Sequence, residues 1–211
     1  MRSLIPALGI LLLSASAVAQ DPVNVDPKHH KVEVDNPQVR VLRLTLGAGE
    51  KTPVYDHPAS VAVFMGESTY RIGPVGGPSS QDPHQRGDVV LIAAGKHSIE
   101  NLGSTEAEMV VIELKTPAIK PWKDQALDAV KTDPNNFRLI VESDEVRVFH
   151  ATAKAPPITH EHPPYVYVLM AGGSLPPGTV QFRAGPVKHT PQNDGVTIMV
   201  ELKTQAGAAR D

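Results

Sequence analysis

DPVNVDPKHHKVEVDNPQVRV, residues 21–41, lies over DAVKTDPNNFRLIVESDEVRV, residues 128–148, at an offset of 107 and without a gap. Asp21, Val23, Asp26, Pro27, Val34, Val39, Arg40 and Val41 each meet an identical residue, eight matches in 21 positions. About one or two would arise by chance, so the chain reads as an internal duplication. The likeness continues downstream. Asp56-His57-Pro58 meets Glu161-His162-Pro163, and Val61 to Met65 meets Val166 to Met170 after one register slip. The copies close alike, in Val111-Ile112-Glu113-Leu114-Lys115 and Met199-Val200-Glu201-Leu202-Lys203.

Within each copy the pattern is that of short strands. Leu42, Leu44 and Leu46 alternate along residues 39–46. Residues 61–64, 89–93, 109–114, 146–151, 165–170 and 197–202 are β-branched or aromatic runs bounded by turn residues. With 16 Gly and 20 Pro and few long helical patterns, the chain is expected to be all-β, a sandwich or barrel whose closure removes exposed edges. The predicted organisation is a leader over 1–19, repeat 1 over 20–116, a linker over 117–127, repeat 2 over 128–203 and a flexible tail over 204–211. A short amphipathic helix is expected from Trp122 to Val130, with Trp122, Ala126 and Val130 four apart, although the equivalent stretch of copy one carries Pro22, which speaks against it. Gly73 to Pro83 reads as a turn-rich surface loop, or as a lid that brings His84 inward.

The leader rests on Arg2, an apolar run from Leu4 to Leu13, and Ala17-Val18-Ala19, a small-residue cleavage pattern that predicts a cut before Gln20. The run is too short for a membrane anchor, which needs about 20 apolar residues. A periplasmic or secreted protein is therefore expected, with no membrane span after cleavage. It has no cysteine, so no disulfide supports it and stability must come from core burial. The net charge of −3, without a basic block, argues against nucleic acid as a partner. No nucleophile elbow, phosphate-binding glycine loop or catalytic carboxylate pair stands out.

The sharpest chemical feature is His160-Glu161-His162. Residues two apart on a strand face the same way, so both imidazoles can point into a barrel. His189 follows a Gly-Pro turn and could join them. Three histidines suit a divalent metal such as Fe, Mn, Zn, Ni or Cu and leave coordination positions open. The alternative is a solvated loop edge beside Pro163-Pro164. His29 and His30, among Lys28, Lys31 and Glu33, are expected in solvent. Arg40 and Arg147, at equal places in the copies, are expected to pair with carboxylates across strands or to meet an anionic ligand.

These features resemble the cupin superfamily, whose motifs are G(X)5HXH(X)3-4E(X)6G and G(X)5PXG(X)2H(X)3N. Gly87 to Asn101 in copy one is similar to the second motif, with Ala93 in place of Pro and one residue fewer before His97. Ala184 to His189, followed by Gln192-Asn193, is similar to it in copy two. His160 and His162 match the H-x-H of the first motif. The resemblance implies two jelly-roll (double-stranded β-helix) barrels, the second shortened, because only Ala171 to Gly178 separates two of its strands. It implies a metal site at His160, His162 and His189 inside the second barrel, walled by Tyr165, Tyr167 and Phe182. The motif glutamate falls near Val166 or Tyr167 and is missing. In copy one the H-x-H has become Tyr55-Asp56-His57, which leaves His57 and His97 as a weaker second site. A small-molecule ligand and a homodimer are implied too. Two function classes follow: a metal-dependent dioxygenase, decarboxylase or isomerase, and a metal-free binding or structural module of the cell envelope.

Overall fold

The computed structural model describes residues 20–118, 126–191 and 195–204. The expected leader, the middle of the linker with Trp122, the Gln192-Asn193 pair and residues 205–211 of the tail lie outside the described residues.

Each unit opens on a capped helical turn. The Asp21 carboxylate accepts the backbone N–H of Val23 and Asn24 and caps α1, Pro22–Val25. Asp128 accepts from Lys131 N and caps α2, Ala129–Thr132. Pro22 thus occupies the first turn, where a missing N–H breaks no helical bond. Pro22 was no argument against a helix; of the helix expected over 122–130, residues 126–128 are turn and bridge, α2 begins at Ala129, and residues 122–125 lie outside the described residues.

Nine strands follow α1: β1 (His30–Asp35), β2 (Val39–Leu46), β3 (Tyr55–His57), β4 (Ser60–Phe64), β5 (Ser68–Pro74), β6 (Ser80–His84), β7 (Val89–Ile92), β8 (Gly95–Asn101) and β9 (Ala107–Leu114). Seven follow α2: β10 (Phe137–Glu142), β11 (Val146–Ala151), β12 (His160–His162), β13 (Tyr165–Ala171), β14 (Val180–Arg183), β15 (Val187–His189) and β16 (Val196–Leu202). The first unit pairs them as β1-β2-β9-β4-β7 and β3-β8-β5-β6, the second as β10-β11-β16-β13-β14 and β12-β15. All pairings are antiparallel, and the five-stranded sheets have the same order. Both first hairpins carry a register shift at the same place, between Val32 and Val34 and between Leu139 and Val141. The protein is all-β, with two barrels of one topology.

The second barrel lacks a counterpart of β5 and β6. Of residues 73–83, expected to be a loop or lid, Gly73 and Pro74 end β5 and residues 80–83 lie on β6, so the loop is confined to residues 75–79. His84 stacks on Phe64 with ring centroids 3.6 Å apart. Pro83 is tolerated because β6 is an edge strand.

The large sheets are buried on both faces, which is why their strands read as near-continuous apolar runs. One face of β2 turns Leu44 and Leu46 into the first barrel, against Tyr55, Phe64, Tyr70, Ile99 and Met109. The other face of that sheet carries Val39, Val41, Val61, Val63, Val110 and Ile112 into a layer shared with Val146, Val148, Val166, Val168, Ile198 and Val200. Each such side chain stabilises by about 1.5–3 kcal/mol on full burial, so this layer joins the two barrels firmly. Its rim is closed by polar bonds: Arg43 Nη2 donates to Gly178 O at 2.6 Å, and Arg86 Nη1 donates to Met65 O at 2.7 Å while its Nε reaches Met170 O at 3.2 Å.

Candidate metal centre

The short strands β12 and β15 build the site. Their antiparallel register sets His160 opposite His189 and His162 opposite Val187. Alternation along β12 puts His160 and His162 on one face, and both are fully buried. Gly185 allows β15 to approach. Its φ of +48° suits glycine, and a Cβ there would lie 2.5 Å from Pro164 N, inside contact distance. The three ring centroids are 4.7, 4.9 and 5.3 Å apart.

One ligand nitrogen from each of His160, His162 and His189 lies within 4.8 Å of the others. Nitrogens held tetrahedrally at 2.0–2.1 Å from an ion are about 3.3 Å apart, so small side-chain rotations close the set. Tautomers favour it. His160 Nδ1 is 2.8 Å from Ile158 O, and His162 Nδ1 is 2.6 Å from Glu201 Oε1. A carbonyl or carboxylate oxygen only accepts, so each Nδ1 carries the proton and each Nε2 presents a lone pair. His160 Nε2 and His162 Nε2 are buried and have no hydrogen-bond partner among the described residues. Burial, followed by the neighbouring imidazoles of His162 and His189, pushes the His160 pKa down to about 4, so it is neutral at pH 7, as a ligand must be.

Behind His162 runs a buried ionic chain. Glu201 Oε2 accepts from Arg147 Nη2 at 2.6 Å and Nε at 3.1 Å, and Arg147 Nη2 also reaches Asp128 Oδ2 at 2.6 Å. The α2 cap, β11 and β16 are thereby tied to the imidazole on β12. Glu201 is the functional residue that motif matching missed, although a glutamate inside the apolar ends of both copies was a visible signal.

The first unit has the same frame with a different outcome. Tyr55 pairs with His97 as His160 pairs with His189. His57 Nε2 is 2.9 Å from His97 Nδ1, and His97 Nε2 is 3.1 Å from the Tyr55 hydroxyl. The two histidines offered as a weaker second site thus spend their ring nitrogens on each other and on Tyr55. His57 Nδ1 turns to Pro58 O at 2.7 Å instead of to Glu113. His30, expected in solvent, is buried edge-on to Tyr55 with centroids 5.0 Å apart. It occupies the place of Phe137, which packs edge-on to His160. His29 is held by Asp26, with Nδ1 2.8 Å from Oδ1. Arg40 pairs with Glu113 and Asp21.

A cavity of about 250 Å³ opens beside the second-unit histidines, on the side the β5–β6 hairpin would cover. His189, Tyr165, Tyr167, Met199, Leu175 and Arg183 line it. Phe182, expected in its wall, packs instead against the layer between the barrels. Alternation explains this, since Phe182 and Arg183 are neighbours on β14. Val166 lies in the same layer, and no carboxylate joins the three imidazoles among the described residues.

No protein-family model matches the chain, and no curated protein matches it. Among solved structures it is similar to a cupin domain from Bordetella pertussis Tohama I, at 27% identity over 41% of this chain and 92% of that one, with a TM-score of 0.39. It is similar to an RmlC-like cupin family protein with a double-stranded β-helix fold from Methanocaldococcus jannaschii, at 20% identity over 42% and 83%, with a TM-score of 0.34. A cupin superfamily protein from Desulfitobacterium hafniense DCB-2 matches at 14% identity over 41% and 76%, with a TM-score of 0.34. The fold assignment rests on the strand order and register of the chain itself.

Proposed function

We propose that this chain is an exported two-barrel cupin that holds one divalent metal ion, of Fe, Mn, Zn, Ni or Cu type, at His160, His162 and His189, and acts with it on a small organic molecule. The observation that carries this reading is the pair of buried, unpartnered Nε2 atoms of His160 and His162, aimed at the same space as His189. An unpartnered buried nitrogen costs about 1–3 kcal/mol, which a bound ion relieves. A metal held by three imidazoles would supply Lewis-acid or redox chemistry at its open positions, as a dioxygenase or lyase requires. The chain's own residues do the rest. Glu201 fixes the tautomer and angle of His162, and Ile158 O does so for His160. Export to the periplasm or beyond rests on the leader pattern of residues 1–19.

Metal analysis of the mature protein, beside a His160→Ala/His162→Ala double variant, tests the reading. About one equivalent of a transition metal, lost in a folded variant, is expected. No metal in the wild type, even after reconstitution, rejects it in favour of a metal-free binding module.

A further inference from the structure

The cavity beside the histidines also constrains what enters it. Arg183 lies at its mouth on β14, opposite Tyr165 on β13. Its guanidinium stands 5.9 Å from the Tyr167 ring centroid, and its Nη2 donates to the neutral Gln181 Oε1 at 2.6 Å. The Tyr165 ring in turn stands 5.0 Å from that of His162. Arg40, Arg43, Arg71 and Arg147 each pair with a carboxylate. Arg183 is exposed at the end of β14, donates also to the Tyr165 hydroxyl, and makes no ion pair among the described residues. Its charge is permanent, and its fork of donors matches a carboxylate in bidentate geometry.

We propose that the second barrel binds a small monocarboxylate, with the carboxylate on Arg183 at the mouth and an apolar body directed inward toward His189. This rests on the reading of the barrel as a ligand site, and it names the ligand class. The space of about 250 Å³ corresponds to roughly eight water volumes, enough for a body the size of one aromatic ring or a short alkyl chain. The buried wall of Tyr165 and Met199 suits that body. One guanidinium suits a monoanion. A phosphate dianion is ordinarily met by several cations or by a helix N-terminus, and neither lines this cavity among the described residues. The open side left by the absent hairpin gives the ligand its entry, whereas Tyr70 and Ile99 fill the first barrel.

The test is calorimetric titration of the mature protein, metal-free and metal-loaded, with benzoate and hexanoate, their amides, and phenyl phosphate. Wild type, Arg183→Gln, Arg183→Lys and His162→Ala are compared. We expect at least one carboxylate to bind at least tenfold more tightly than its amide. Arg183→Gln should erase that preference without changing metal content, and Arg183→Lys should restore part of it. No carboxylate preference, an unchanged preference in Arg183→Gln, or tighter binding of phenyl phosphate would overturn the proposal. A preference that needs Arg183 in a protein that takes up no metal would sink the metal reading and leave this one standing. Metal bound through His162 without any such preference would do the reverse.

Discussion

His162 Nδ1 and Glu201 Oε1 lie 2.6 Å apart with both side chains fully buried. The equivalent pair in the first unit, His57 and Glu113, is not bonded, because His57 turns to Pro58 O and Glu113 Oε1 is left without a partner among the described residues. One frame therefore holds its imidazole ready for a ligand, and the other does not.

Glu201→Gln should weaken metal binding by about 10- to 100-fold, since a carboxylate partner both orients a ligating imidazole and raises its basicity. The amide keeps the shape but leaves one acceptor where the carboxylate serves both His162 and Arg147, so a loss of stability smaller than that of Arg147→Ala is expected beside it. Competition with a chelator of known affinity measures the loss, and circular dichroism checks the fold. Unchanged affinity would show that Glu201 serves only Arg147.

Arg147→Ala should be much more damaging to the fold than to surface charge. It would leave Glu201 and Asp128 buried without their cation. Breaking a buried pair in this way costs about 3–5 kcal/mol, which urea denaturation reads directly.

The layer between the barrels should make them unfold together. Ile112 is fully buried among valines of both units. Ile112→Ala should cost about 2–5 kcal/mol and lower a single transition. Two separate transitions, with only the first affected, would mean that the barrels are independent.

Much of this was legible in the sequence. The duplication at residues 21–41 and 128–148 appears as equal strands with equal register shifts, because a repeated pattern of apolar positions specifies repeated pairing. The pairing of His160 with His189 followed from alternation plus closure of the barrel. Other features were hidden. His30 looked solvated among its charged neighbours, but at the start of β1 it packs edge-on to Tyr55, with its Nδ1 on the Asp26 carbonyl, while Lys31 stays out. Phe182 was expected in the cavity wall, but alternation on β14 turns it to the layer between the barrels and leaves its neighbour Arg183 lining the cavity. Residues 73–83 were read from their Gly and Pro content, which marks the turn at residues 75–79 but hides the flanking ends of β5 and β6, where the edge strand β6 tolerates Pro83.

Acid should destabilise the metal-free protein in both units, through His97 in the first and His160 in the second. Burial, followed by the neighbouring His57 and His30, pushes the His97 pKa down to about 4, and burial also lowers that of His30. A folded pKa below the unfolded value of about 6.5 means that the unfolded chain binds more protons between pH 6.5 and 4. Stability is then highest above pH 6.5 and falls as pH drops toward 4, by up to about 3 kcal/mol from His97. His97→Phe should flatten that slope while leaving metal content unchanged. Denaturation midpoints between pH 4 and 7.5, with chelator present, check this.

The central claim is that three imidazoles of the second barrel ligate one ion, and X-ray absorption at the metal edge of the loaded protein tests it most directly. The account predicts three imidazole nitrogens at about 2.0–2.1 Å for zinc, with the remaining positions filled by oxygen donors. It also predicts that His189→Ala removes one imidazole from the shell. Fewer than three imidazoles, or a spectrum unchanged by His189→Ala, would contradict it.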